Sequence, residues 1–168
     1  FIPACRLCAA CLRGQSYLCE FTAQVMTSPN FMIDGNPVSG FTGIGTFAEE
    51  MVISQHCCVK IDSDIPLDIV SLIGCGVTTG VGASINSAGI QPGSSVVVFG
   101  CGGVGISAIQ GARIAGAAEI LADDMVESKL EQAKHFGATH VCTPDGFEQM
   151  KGEITAGAGF DYALECIG

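Results

Sequence analysis

Between Ser95 and Gly168 the chain alternates short apolar runs with amphipathic ones. "SVVVFG" at 95–100 is wholly apolar, as expected of a parallel strand buried on both faces. "GGVGISAIQGARIAGA" follows and predicts a helix, and "EILA" predicts a second strand. "VESKLEQAKHFG" carries Val126, Leu130 and Ala133 on one helical face and stops at Gly137, a glycine suited to end a helix. "THVCT" reads as a third strand, "DGFEQMKGEITAG" as a weaker helix and "FDYALECIG" as a fourth strand. Strands and helices in alternation, with short turns, predict a doubly wound parallel α/β sheet starting near Gly93.

The first part of the chain has a different pattern. Residues 1–20 are rich in cysteine, and 21–45 are rich in Gly, Pro, Asn, Ser and Thr and read as loop. "TFAEEMVI" and "CCVKI", between Thr46 and Ile61, suggest antiparallel strands of a β-rich domain. Pro66 opens a helical turn over about 67–73, and a helix of small residues runs from about Gly76 to Ala88. The expected organisation is a partial β-rich domain at 1–66, a helical crossing at 67–92 and a partial dinucleotide-binding domain at 93–168.

Composition narrows the functional classes. Of 168 residues, 48% are hydrophobic and 14% charged, which excludes intrinsic disorder. The formal net charge is −10 and the seven Lys and Arg form no cluster, so neither nucleic acid nor an anionic membrane surface is an expected partner. No Asp, Glu, Lys or Arg occurs from Ile69 to Ala112, but glycines and polar residues break that stretch, and it reads as a packed crossing rather than a membrane span. The chain opens Phe1-Ile2-Pro3 without an initiator Met or a basic leader, and is expected to be a piece of a longer protein.

Ten cysteines stand out. Cys5, Cys8, Cys11 and Cys19 are spaced C-x2-C-x2-C-x7-C. Two intervening residues let two thiolates reach one ion from one turn, and four thiolates make a closed tetrahedral shell suited to structural zinc. An iron–sulfur run would place its fourth cysteine closer and before a proline. Four buried thiols at a coincidental spacing are the plainer alternative.

Gly100-Cys101-Gly102-Gly103-Val104-Gly105 is a G-x-G-x-x-G between a predicted strand and a predicted helix. The first glycine serves a tight turn, the second a close backbone approach to a pyrophosphate, and the third the packing of helix on strand. Asp123 and Asp124 lie at the end of the second strand, Asp124 nineteen residues past Gly105. An acid there accepts from the adenosine ribose hydroxyls and repels a 2′-phosphate, favouring NAD over NADP. One of the pair is expected instead to cap the helix starting near Met125. Cys101, next to a helix N-terminus, is a candidate for a lowered thiol pKa. Cys57, Cys58, Cys142 and Cys166 read as packing residues, and His56, His135 and His140 as structural or exposed.

Together these residues resemble the zinc-dependent alcohol dehydrogenases of the medium-chain dehydrogenase/reductase family. The four-cysteine lobe, "LIGCGVTTGVGA" at 72–83 and "VVVFGCGGVGISAIQGARIAGA" at 96–117 carry the likeness, and "GTFAE" and "QGARIAGA" are most similar to the class III and nicotinoprotein branches. The resemblance implies a GroES-like catalytic domain before the Rossmann sheet and hydride transfer from an alcohol to NAD. It makes Cys75 a catalytic-zinc ligand, Thr79 a neighbour of the nicotinamide carboxamide, and Val104 the residue behind the nicotinamide ring. It assigns Asp124 and Lys129 to the adenosine ribose, and aligns Phe1 with an aromatic of the substrate channel. It further implies a cytoplasmic homodimer or homotetramer acting on a small alcohol or aldehyde. The remaining catalytic-zinc ligands of the family, a Cys and a His, are not in this sequence, and Arg6 stands where a glycine is common. A non-catalytic zinc- and nucleotide-binding module, or a polyol or threonine dehydrogenase, are the alternatives.

Overall fold

The computed structural model describes residues 4–168, apart from the side chain of Val25. The chain divides into two compact units, Phe1–Ile65 and Pro66–Gly168.

The second unit holds a four-stranded parallel sheet. Its strands are β3 (Ser95–Phe99), β4 (Glu119–Asp123), β5 (His140–Cys142) and β6 (Tyr162–Glu165), in the order β5-β4-β3-β6. Register pairs Phe99 with Asp123, and Asp123 with Cys142. Val96, Val97 and Val98 are almost completely buried, as a strand covered on both faces requires. One face packs Val96, Val98, Ile120 and Ala122 against α4 (Gly103–Ile114) and α5 (Glu127–Phe136), which contribute Ala108, Ile109, Leu130 and Ala133. The other face packs Val97, Leu121 and Cys142 under Phe147, Met150 and Ile154 of α6 (Phe147–Thr155). Helices on both faces make this the doubly wound α/β arrangement expected. Gly137 ends α5 at φ 118°.

The crossing is one continuous helix, α3, over Leu67–Ser87, rather than a turn followed by a separate helix. Two of its turns, Ile73–Val77 and Ala83–Ser87, widen to π geometry. A Cβ on Gly80 would lie 2.3 Å from the Val104 carbonyl oxygen, and one on Gly111 would lie 2.9 Å from the Val81 Cα, so the glycines set the close approach of α3 and α4. At the crossing the buried Ser84 hydroxyl donates to the Ala108 carbonyl at 2.8 Å. By length and composition alone α3 is also able to cross a membrane. It docks on α4 along one side, through Gly80 and Ser84, while Leu67, Ile69, Leu72 and Ile73 on it are exposed.

In the first unit the expected strands at 46–53 and 57–61 are absent: these residues form bends and coil around a 3-10 turn at Gln55–Cys57. Phe47, Val52 and Val59 are exposed, and no described strand lies beside them to complete a ladder. A hairpin instead occupies the segment read as loop, with β1 (Phe31–Ile33) antiparallel to β2 (Asn36–Val38). Asp34 and Gly35 at its tip have φ of 50° and 79°, and a D-G pair with two positive φ angles is the hairpin signal that the Gly- and Pro-rich reading passed over. Cys57 is half-buried and Cys58 exposed, so neither packs a strand. His56 lies in the 3-10 turn rather than at a strand end.

Candidate dinucleotide site and thiolate lobe

At the C-terminal edge of β3 the chain turns sharply. Gly100 has φ 88°, and its N–H donates to the Asp123 carbonyl at 2.7 Å. A Cβ on Gly105 would fall 1.8 Å from the Gly100 carbonyl oxygen, so α4 leaves the turn only with glycine there. Cβ atoms on Gly102 or Gly103 would meet nothing within 4 Å. That open side faces the N-terminus of α4, where free N–H groups and the positive end of the helix dipole suit a phosphate. The three glycine roles read from the sequence are thus separable in space.

A cavity of about 490 Å³ adjoins the turn, lined by Gly100, Gly102, Asp124, Lys129, Pro144 and Ile167 among others. Asp124 is the organising residue. Its Oδ2 accepts the Cys101 N–H at 2.8 Å and its Oδ1 the Val126 N–H at 2.9 Å, and the Lys129 ammonium stands 3.7 Å from Oδ2. Burial pushes the Asp124 carboxyl up, but the two N–H donors and Lys129 outweigh it and hold the group below its ordinary value. The same acid therefore lines the cavity and makes the local turn bond before α5. This corrects the expectation of one role for each aspartate.

Asp123, the last residue of β4, also lines the cavity; it is 4% exposed, with Oδ2 accepting the Cys142 thiol at 3.4 Å. Burial, with the Asp124 charge as a smaller contribution, raises its carboxyl above the ordinary value. The cysteine of the turn is not activated: burial first, then Asp124 and Asp123, push the Cys101 thiol up to about 11. A helix N-terminus lowers a thiol pKa only where it is not outweighed by desolvation and nearby carboxylates.

On α3, Cys75 and Thr79 are exposed. Thr79 directly precedes Gly80, which packs on the Val104 carbonyl, so α3 brings Thr79 next to the α4 segment carrying Val104. Cys75 lies in the π turn one turn earlier, and among the described residues no group of metal-ligating side chains includes it.

In the first unit, the ligand atoms of Cys5, Cys8, Cys11 and Cys19 all lie within 4.8 Å of one another. Helix α1 (Ala9–Leu12) starts immediately after Cys8, a 3-10 turn, Ser16–Leu18, delivers Cys19, and helix α2 (Thr22–Thr27) follows. Backbone N–H groups point at the sulfurs: Cys8 and Leu7 donate to Cys5 Sγ at 3.2 and 3.4 Å, and Cys5 donates to Cys19 Sγ at 3.3 Å. The Cys5 N–H and neighbouring groups bring the Cys19 thiol down to about 6, whereas burial beside its neighbours lifts Cys11 to about 12. N–H donors favour thiolate, so the donor set fits a closed four-sulfur metal site. Arg6 adopts φ 61°, a left-handed conformation that glycine holds without strain. Phe1 lies outside the described residues.

The sequence model of the zinc-binding dehydrogenase family matches residues 103–168. Over its whole length the chain is 38% identical to S-(hydroxymethyl)glutathione dehydrogenase of Paracoccus denitrificans and 41% identical to alcohol dehydrogenase 1 of Pisum sativum, covering 49% and 47% of those proteins. The match to the zinc-binding dehydrogenases thus covers residues 103–168 by the family model and the whole chain by similarity to these relatives. The chain spans about half the length of the curated relatives it matches. Among solved structures of this family, 99% of the chain superposes on an alcohol dehydrogenase zinc-binding domain protein from Burkholderia ambifaria, with a TM-score of 0.84, 35% identity and 48% of that chain covered. Benzyl alcohol dehydrogenase from Acinetobacter calcoaceticus gives the same TM-score at 34% identity, again with 48% of its chain covered. The fold of a zinc-binding dehydrogenase is therefore that expected from the strand–helix pattern.

The cavity-lining residue to which sequence reasoning gave no wall role is Asp123. Two adjacent acids at a strand end were the available signal, because successive residues of a strand face opposite sides.

Proposed function

We propose that this chain contributes the dinucleotide-binding half and a structural zinc lobe to an NAD-dependent zinc alcohol dehydrogenase acting on a small alcohol or aldehyde. The observation that carries the reading is Asp124, which lines a cavity beside a glycine turn with its charge held by Cys101, Val126 and Lys129. When bound, NAD accepts a hydride from the carbinol carbon.

The chain's own residues bind and orient. Gly102 and Gly103 leave room for the pyrophosphate at the N-terminus of α4. Asp124 is placed to accept from the adenosine ribose hydroxyls, and its charge opposes a 2′-phosphate, while Lys129 supplies a cation beside it. Val104 and Thr79 are the residues we assign to the nicotinamide end. Cys5, Cys8, Cys11 and Cys19 would hold a zinc ion that ties together a lobe too small to be held by its own core. Cys75 is assigned as one protein ligand of a catalytic zinc in the whole enzyme. The described residues offer it no co-ligands, so no catalytic step is routed through that ion. A cytoplasmic location is the one the resemblance supports. A homodimer or homotetramer is the assembly that the resemblance supports.

Calorimetric titration of the chain with NAD, NADP and ADP-ribose tests the cofactor reading. Binding of NAD and ADP-ribose, with weaker binding of NADP, is expected. Failure of both NAD and ADP-ribose to bind overturns the reading.

A further inference from the structure

Outside the four-cysteine lobe the thiols differ in access. Cys101 and Cys142 are buried in the sheet unit, and burial is the first cause that pushes them up, to about 11 and about 12. Cys75 is exposed and stands between two glycines. Cys57 and Cys58 are the one pair of cysteines adjacent in sequence. Cys57 is half-buried, Cys58 is exposed, and neither lies in a described strand.

The local backbone sets what this pair can do. Ser54 caps the 3-10 turn Gln55–Cys57: its Oγ accepts the His56 N–H at 3.3 Å, and its carbonyl accepts the Cys57 N–H at 2.9 Å and the Cys58 thiol at 3.9 Å. Cys57 therefore belongs to the turn, and Cys58, at φ −92° and ψ 131°, to the extended chain that follows. On a strand, successive side chains leave on opposite faces, and two adjacent thiols could not reach one atom. The junction of turn and extended chain lifts that restriction. A disulfide within the pair is disfavoured, because neighbouring Cα atoms are about 3.8 Å apart and unstrained disulfides need roughly 4.4–6.8 Å. An atom bonded to both sulfurs lengthens the bridge and relaxes that constraint. Among the described residues no group of three or more metal-ligating side chains includes the pair, so it offers two sulfurs and suits a centre that takes two, rather than a four-ligand zinc ion.

We propose that Cys57 and Cys58 form a vicinal-dithiol site for a trivalent arsenical that carries one organic group. Such an arsenic centre is soft, like the sulfur ligands it takes, and in water holds two exchangeable hydroxyl groups. Each thiol displaces one of them: two As–S bonds form, two As–O bonds break, and the two thiol protons leave with the hydroxyls as two waters. Arsenic stays trivalent throughout, so the step needs neither oxidant nor reductant. The exposed Cys58 makes the first bond. The second is then intramolecular, with Cys57 held at a high effective concentration. This site is independent of the dinucleotide reading.

Treatment of the 168-residue chain with phenylarsine oxide, followed by a wash with excess monothiol, tests it by intact mass and by mass mapping of the adduct. One phenylarsenic group should survive the wash on a fragment in which it bridges Cys57 and Cys58, and a dithiol such as dimercaptopropanol should remove it. Cys57→Ser and Cys58→Ser should each retain it about tenfold less or worse, because a single As–S bond exchanges with the monothiol. The mapping on the unsubstituted chain decides the matter even if a variant misfolds. An adduct found only on the lobe cysteines or on Cys75, or no adduct that survives the wash, overturns the proposal. So does equal retention in either single variant. A Cys58 that a monofunctional alkylating agent does not label in the unsubstituted chain overturns it too, because the first bond requires that thiol to be accessible.

Discussion

Asp124 Oδ2 accepts the backbone N–H of Cys101 at 2.8 Å, so the acid assigned to the ribose also holds the glycine turn in shape. Binding and stability are therefore linked at this residue. Asp124→Ala removes acceptors for two backbone N–H groups, at a cost of about 1–3 kcal/mol, read as a lower denaturation midpoint. Asp124→Asn keeps one of the two acceptors, its amide oxygen, and should cost less. Asp124→Ser should raise NADP binding relative to NAD, because the charge that opposes a 2′-phosphate is gone. If Asp123→Ser changes the NAD-to-NADP ratio and Asp124→Ser does not, the roles of the pair are reversed.

The two adjacent acids should respond oppositely to pH. Asp124 has a folded pKa below its ordinary value of 3.8, so its contribution is complete above about pH 4 and is lost as pH falls through the lowered value. Asp123 has a folded pKa above 3.8, so the folded state favours its protonated form, and stability declines as pH rises from 3.8 through the raised value. Urea midpoints measured from pH 2.5 to 7 should show Asp124→Asn flattening the acid limb, and Asp123→Asn gaining relative stability toward neutral pH. Parallel profiles for the two variants would contradict the assignment of opposite shifts.

The α3–α4 crossing gives a pair of opposite glycine predictions. Gly80→Ala places a methyl 2.3 Å from the Val104 carbonyl oxygen and 2.6 Å from the Ala108 nitrogen, so the helices must separate. Overpacking of this kind costs about 1–3 kcal/mol or more. Gly82, two residues on, has only the Asn86 Nδ2 at 3.9 Å and a helical φ of −64°, so Gly82→Ala should gain about 0.5–1 kcal/mol. Thermal melts of the two variants should shift in opposite directions. Thr79 directly precedes Gly80, so Gly80→Ala should weaken the nicotinamide end of dinucleotide binding more than AMP binding.

The thiolate lobe yields a third test. Cys8→Ser should lower bound zinc by one ion per chain, read by elemental analysis, and a chelator should unfold 4–20 while the sheet of the second unit persists. Arg6→Gly relieves a φ of 61° and should slow zinc loss to the chelator. Equal zinc in Cys8→Ser and the parent chain would remove the assignment.

The sheet unit was legible because each signal was local and strong. Val96–Val98 are apolar on both faces, Gly137 marks a helix end, and the glycine turn has its acid at the next strand end. The first unit was not, for physical reasons. Phe47, Val52 and Val59 have the composition of strands, but a strand exists only with a partner, and propensity does not supply one. Arg6 hides a left-handed turn behind a side chain, where glycine would have announced it. The separate fates of Asp123 and Asp124 depend on which way each side chain leaves the strand end, and on a thiol from β5 that only the register brings alongside.

Cys75 is the test of the proposed catalytic-zinc site. It is exposed in a π turn of α3, and the only group of three or more metal-ligating side chains among the described residues is the four-cysteine lobe. A catalytic zinc needs about three protein ligands and one open position, and Cys75 supplies one. His56 lies in the other unit, His135 stacks edge-on against Phe136, and His140 bonds Glu119 at 2.7 Å, so none of the three is grouped with Cys75. The 168-residue chain should therefore bind one zinc, not two, and Cys75→Ser should leave the zinc content unchanged. With zinc, NAD and a panel of primary alcohols, absorbance at the NADH band should stay at baseline. NADH formation that disappears in Cys75→Ser would show that Cys75 finds its co-ligands within this chain, and the assignment of an incomplete catalytic site would fall.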